Sequence, residues 1–361
     1  MKNNFFIAPD ISKAGTLSKE FYLNSNYFNL SREKIFAPSF QFIGDRGMVA
    51  AENNVHPFTL FENFLDEPLV LTKDKENNFK CLSNVCTHRG NIIADKSCHS
   101  AHLRCKYHGR IFQLDGQFHS MPEFKEVKNF PSSKDNLTGL PLFSWGNFLF
   151  VSLHKKSKPE KYFGEMIKRM SWLPLDKFSF SGFSKDYPVN AHWALYCENF
   201  LEGFHIPFVH AGLNTVIDYG NYKTELLDRC ILQTGFSKDE KNCFDLPASS
   251  PDYGKNIAAY YFFIFPNMMF NFYPWGLSVN VVKPVSVNKS TVSFVTYIYD
   301  EAKQNSGAGA DLNTVEMEDE EVVQNVQRGI QSRFYKHGRF SVTREQGVHH
   351  FQRLISKALD E

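Results

Sequence analysis

The chain carries almost no excess charge: 40 Lys and Arg stand against 39 Asp and Glu, a formal +1 at pH 7 with His neutral. That removes the basic field on which nucleic-acid or anionic-membrane binding depends. Long apolar runs are missing too. The start, Met1-Lys-Asn-Asn-Phe-Phe-Ile-Ala-Pro-Asp10, has no continuous apolar leader, and nothing later approaches membrane-spanning length. The densest apolar stretch, 257–269, is rich in rings, is broken by Pro266 and reads as a buried strand. There are no repeats, and no flavin or nicotinamide fingerprint. Cysteine is scarce and odd in number at seven, which argues for reduced thiols and not for a disulfide framework. The expectation is a soluble, cytoplasmic protein with neither nucleic acid nor membrane as partner.

Aromatic residues, by contrast, abound, with 36 Phe in 361 residues and 42% apolar residues overall. Such a chain fits two domains and can bury a sizeable core. Residues 1–40 read as a helical arm packing on the catalytic domain. From 41 to 153, short β-type runs alternate with Gly, Pro and Asn turns, as in a small β domain. The remainder, 154–361, combines a helix near 191–205, β-rich runs over 258–300 and two helices near 315–334 and 344–359. The fold class is therefore α+β, with an antiparallel sheet holding helices on one side.

Two cysteine–histidine pairs dominate the first domain, Cys86-Thr-His88 and Cys105-Lys-Tyr-His108. Two thiolates and two imidazoles suit a tetrahedral zinc or a Rieske 2Fe–2S centre. One Cys and one His per loop suits a cluster whose irons differ, and Gly90 and Gly109 allow backbone to approach bridging sulfides. Cys98, His99 and His102 lie between the pairs and read as a surface turn. No further cysteine braces the loops, and Tyr107 is the only phenol beside them.

A second constellation is Glu202-Gly-Phe-His205-Ile-Pro-Phe-Val-His210. Two histidines and a carboxylate form the facial triad of non-haem Fe(II) oxygenases. Pro207 turns the chain so that His205 and His210 can converge at a helix end, and Glu202 shares the face of His205. For the carboxylate, the acidic helix from Glu316 offers Asp319, on the stripe with Val322, Val323, Val326 and Ile330. Glu316 is the reserve, while Glu318, Glu320 and Glu321 are expected to face solvent and offset the helix dipole.

Together these motifs resemble the α subunit of Rieske non-haem iron oxygenases, from about residue 35 to 355. The residues that carry the resemblance are Cys86-Thr-His88-Arg-Gly90, Cys105-Lys-Tyr-His108-Gly109, Glu198 through His210, and Glu318-Asp319 ahead of Val326-Gln-Arg-Gly329. The chain is most similar to the branch of carnitine, choline and glycine-betaine oxygenases. The resemblance implies a Rieske domain ahead of a helix-grip catalytic domain, in a ring-shaped homotrimer. It implies a 2Fe–2S cluster on Cys86, His88, Cys105 and His108, and a mononuclear Fe(II) on His205, His210 and Asp319. Glu202 then bridges His205 to His108 of a neighbouring subunit. The implied activity is O2-dependent hydroxylation of a small organic substrate, by monooxygenation or N-demethylation of a quaternary ammonium compound. Electrons come from NAD(P)H only through a separate reductase. Ring dihydroxylation of an aromatic is the enzyme alternative, and a Rieske electron carrier with a ligand-binding domain the non-enzyme one. His192-Trp193 replaces the Asn-Trp frequent in the family, and the aromatic abundance is assigned to core before cation cage.

Overall fold

The computed structural model describes residues 5–49, 54–304 and 306–360. It divides into two compact units, 37–157 and a discontinuous unit of 1–36 with 158–361.

The 37–157 unit is built from short antiparallel strands. Four of them pair in the order Val55–Leu60, Glu67–Lys73, Phe79–Ser83, Gly139–Leu140; Leu103–Arg104, Ile111–Phe112 and Phe118–Ser120 form a second sheet. The third sheet contains Gln41–Asp45, Phe148–Val151 and Leu142–Trp145. Alternation along the strands sends Val55, Val70, Leu82, Leu103 and Phe112 into one core, and Cys86 and Cys105 belong to the same cluster.

The larger unit rests on a seven-stranded antiparallel sheet, ordered Ser179–Val189, Lys289–Ile298, Gly276–Ser286, Met268–Tyr273, Ile257–Ile264, Cys230–Phe236 and Lys223–Leu226. Its central strands are buried along their whole length. Such strands need cover on both faces, which is why their sequence is apolar nearly throughout, Asn271 excepted, and not alternating. The expected single strand over 257–269 is in fact two, because the chain turns at 265–267 around Pro266, which lacks a ladder donor.

The helices are α1 (Lys19–Leu23), α2 (Ser25–Ser31), α3 (Glu160–Arg169), α4 (Trp193–Phe200), α5 (Ile206–Val209), α6 (Ala211–Val216), α7 (Leu312–Gly329) and α8 (Gln346–Asp360). Phe351 of α8 sets its ring edge-on to Trp193 of α4 and to Phe263 of the sheet, at centroid distances of 5.9 and 5.3 Å. The segment before α1 lies on the same unit: Leu17 N–H donates to Gln352 Oε1 at 2.7 Å. Residues 1–4 of the expected arm lie outside the described residues. No helix among the described residues is long and apolar enough to cross a membrane.

α4 is shorter than the 191–205 expected. His192 caps its start, Nδ1 accepting from Ala194 N–H at 3.3 Å. The side chain is fully buried among Phe21, Tyr22, Phe28 and Trp193, and burial lowers its pKa to about 3, so it is neutral. The His-for-Asn change thus falls at a cap that either side chain can serve.

Candidate active site

Leu201 ends α4, and Glu202 organises the turn beyond it. One carboxylate oxygen accepts from the His205 backbone N–H at 3.0 Å, and the other meets His205 Nδ1 at 2.6 Å. Pro207 lies in the first turn of α5, where a missing N–H costs nothing, and His210 closes that helix. The five-residue spacing therefore spans one short helical turn, not the end of α4. Asp319 arrives from α7.

These three side chains converge. His205 Nε2 lies 3.1 Å from His210 Nε2, and Asp319 Oδ1 lies 3.1 Å from His210 Nε2 and 3.5 Å from His205 Nε2. Asn199 Nδ2 holds the same Asp319 oxygen at 2.6 Å. Glu318, expected to face solvent, instead binds His210 Nδ1 at 2.7 Å through Oε2. With each Nδ1 facing a carboxylate, its proton belongs there, and both Nε2 lone pairs point at one another beside a third anionic donor. That donor set fits a cation. Burial opposes a charge on His210, yet bonds and charge from Asp319 and Glu318 outweigh it and raise the pKa.

The buried stripe of α7 also differs from the one expected. Glu316, Val323, Gln327 and Ile330 are buried while Val326 is 43% exposed, because the stripe follows the 3.6-residue turn from Glu316. Polar Glu316 and Gln327 hid that stripe from a reading based on apolar residues alone. Glu316 does not join the triad; its Oε2 accepts from the Tyr196 hydroxyl.

The two cluster loops have matching backbones. Cys86 N–H donates to Asn91 O and Cys105 N–H to Arg110 O, both at 2.8 Å. Gly90 N–H returns to Cys86 O at 3.0 Å and Gly109 N–H to Cys105 O at 3.1 Å. Gly90 and Gly109 have φ of +69° and +72°, a conformation only glycine takes readily. Both cysteines are buried, while the rings of His88 and His108 lie near the surface with centroids 4.7 Å apart. Burial opposes ionising Cys105, but donors from Tyr107 N–H and the Asn91 amide pull its pKa below the usual thiol value. This set suits a centre with its thiolate end inside and its imidazole end outside.

No disulfide braces these loops; an ion pair does. Buried Arg110 binds Asp135 at 2.7 Å, with Phe118 packed against its guanidinium at 5.0 Å. Asp135 O also accepts from Thr87 Oγ1 at 2.8 Å, tying the first loop to the second. Cys98 pairs by backbone with Val55, His99 is exposed, and His102 lies against His119. None of the three joins the ligand set.

A cavity with about 90 Å³ of space open to water adjoins the triad. Its walls include Phe200, Tyr222, Tyr261, Tyr273 and Phe294, drawn from segments far apart in sequence.

Comparison with known proteins gives a consistent picture. Residues 180–361 match the ring hydroxylating alpha subunit (catalytic domain) family, and residues 46–131 match the Rieske [2Fe-2S] domain. The chain is 26% identical to a chloroplastic choline monooxygenase of Beta vulgaris, over 94% of this chain and 76% of the relative. It is 25% identical to a carnitine monooxygenase oxygenase subunit of Acinetobacter pittii (strain PHEA-2), over 99% and 98%. In fold it is similar to the quaternary ammonium Rieske monooxygenase CntA, with a TM-score of 0.80, 23% identity and coverage of 99% and 98%. Naphthalene 1,2-dioxygenase from Rhodococcus sp. gives 0.74 at 14% identity, over 95% and 94%.

Proposed function

This chain belongs to the ring-hydroxylating α-subunit family, and we propose that it hydroxylates a small quaternary ammonium compound next to nitrogen. It is a Rieske-type oxygenase: a 2Fe–2S domain and a non-haem iron domain in one chain, using O2. The observation that carries the site assignment is the convergence of His205 Nε2, His210 Nε2 and Asp319 Oδ1 at the cavity. Those residues would hold Fe(II), and Cys86, His88, Cys105 and His108 the cluster. When bound, the iron supplies O2 activation. Two electrons, two protons, O2 and a C–H bond become C–OH and water.

The protein's own groups do the rest. Glu202 and Glu318 fix both imidazoles with Nε2 inward, and Asn199 holds Asp319 in register. Aromatic side chains line the cavity, where an ammonium group can meet them by cation–π attraction. Hydroxylation of an N-methyl carbon leaves a carbinol that loses formaldehyde. The relatives named for choline and carnitine support that substrate class. Family members draw on a separate reductase; we assign a flavin and iron–sulfur reductase, a homotrimer and, from seven unpaired thiols, the cytoplasm.

The test is single-turnover reoxidation of the reduced cluster by O2. A methylated ammonium should stimulate it and release formaldehyde or an amine. Stimulation by aromatic acids alone would redirect the enzyme to ring oxidation.

A further inference from the structure

Three carboxylates line the cavity beside the triad, and two are already committed. Glu202 gives both oxygens to His205, and Asp319 faces His210 and Asn199. Glu316 is different. It is 2% exposed, Oε2 bonds the Tyr196 hydroxyl, and Oε1 is buried with no partner. Gln233 Oε1 and Asn271 Oδ1, on the same walls, are also buried without a donor. Among the described residues, no lysine or arginine lines this cavity. A buried acceptor without a donor is costly and persists where a ligand completes it.

We propose that Glu316 is the counter-charge of the substrate pocket, selecting a small cation that carries no carboxylate. The proposal rests on the quaternary-ammonium reading above and narrows it. Once deprotonated, Glu316 offers negative charge to an ammonium group in the cavity that Tyr261, Tyr273 and Phe294 also line. Apart from the metal that the triad would hold, a substrate carboxylate finds no lysine or arginine on these walls and meets Glu316.

Burial pushes the Glu316 carboxyl up to about 9; the Tyr196 bond opposes this, Asp319 and Glu320 add to it, and Lys185 counters weakly. The Glu316 end of the pocket thus favours a positive charge. A bound cation meets it, and the Glu316 proton leaves as binding occurs.

The experiment is calorimetric titration of the holoenzyme with three probes: choline, its neutral isostere 3,3-dimethylbutan-1-ol, and the zwitterion glycine betaine. Wild type should bind choline about tenfold or more tighter than either of the others. Proton release should show as a dependence of the binding heat on buffer ionisation. Glu316→Gln should lose both the choline preference and the proton release, keep its affinity for the isostere, and retain iron and cluster spectra. Glu316→Asp should restore part of the preference. Equal choline affinity in wild type and Glu316→Gln overturns the role of Glu316 and leaves the quaternary-ammonium reading intact. Tighter binding of glycine betaine than choline overturns the exclusion of carboxylates. If wild type binds the isostere but neither ammonium compound, the substrate reading itself falls. If the Gln variant does not fold, Glu316→Asp carries the test of Glu316, and a choline preference unchanged from wild type overturns the role. The wild-type arms still decide the exclusion of carboxylates.

Discussion

Each imidazole of the triad has one nitrogen anchored by a carboxylate, and the two anchors differ in kind. Glu202 is half of a local loop, bonded to the side chain and the backbone of the same His205. Glu318 reaches His210 across 108 positions and is itself 36% exposed on its side chain. Such partners orient a ligand and raise its basicity, and their loss typically weakens metal binding about 10- to 100-fold. Glu318→Ala should therefore lower mononuclear iron affinity by about that factor while the Rieske absorbance stays unchanged. Iron retention against a graded chelator measures it, and equal retention in the variant and wild type would remove Glu318 from the site. Sequence reasoning missed this residue because it sorted α7 by apolar neighbours. The face toward His210 is set by Glu316, Asp319 and Val323, so Glu318 flanks the buried stripe and does not oppose it.

At the scale of elements, Glu198 joins three helices. Tyr22 of α1 donates to its Oε1 at 2.7 Å, and Gln352 of α8 at 2.9 Å, while Glu198 itself sits on α4. Burial raises its pKa from 4.5 to about 7, although both hydrogen bonds pull it down. A carboxyl whose pKa rises on folding binds its proton more tightly in the native state. Its contribution is fully present below pH 4.5 and is lost as pH climbs through 7, by about 3 kcal/mol. Unfolding free energy should therefore contain a falling component between those limits, and Glu198→Gln should flatten it. Urea titrations across pH 4.5–8 measure that slope; an unchanged slope in the variant would place the proton elsewhere. Helix existence was legible because α7 and α8 are long and periodic. The end of α4 was not, since the Glu202 side chain and the short α5, not composition, shape the turn after Phe200.

In the whole molecule, the chain leaves the catalytic unit after residue 36, completes the Rieske unit over 37–157, and returns. The Cys–His pairs were readable because all four residues lie within 23 positions, in two loops with matching turns. The cavity was not, because its walls come from six or more distant segments whose Phe and Tyr look like any other core. The assignment of electron flow between subunits can be tested without knowing their arrangement. His108→Ala should lack the cluster and keep the iron site; Asp319→Ala should keep the cluster and lack the iron. Each alone should be inactive. Co-expressed with different tags and captured as mixed oligomers, they should recover turnover. In a mixed trimer of either composition, about one contact in three places an intact cluster beside a neighbour's intact iron. Transfer within one subunit predicts no recovery, since no single chain then holds both centres. Activity in the doubly captured fraction therefore separates the two routes, and its absence there assigns the electrons to one chain.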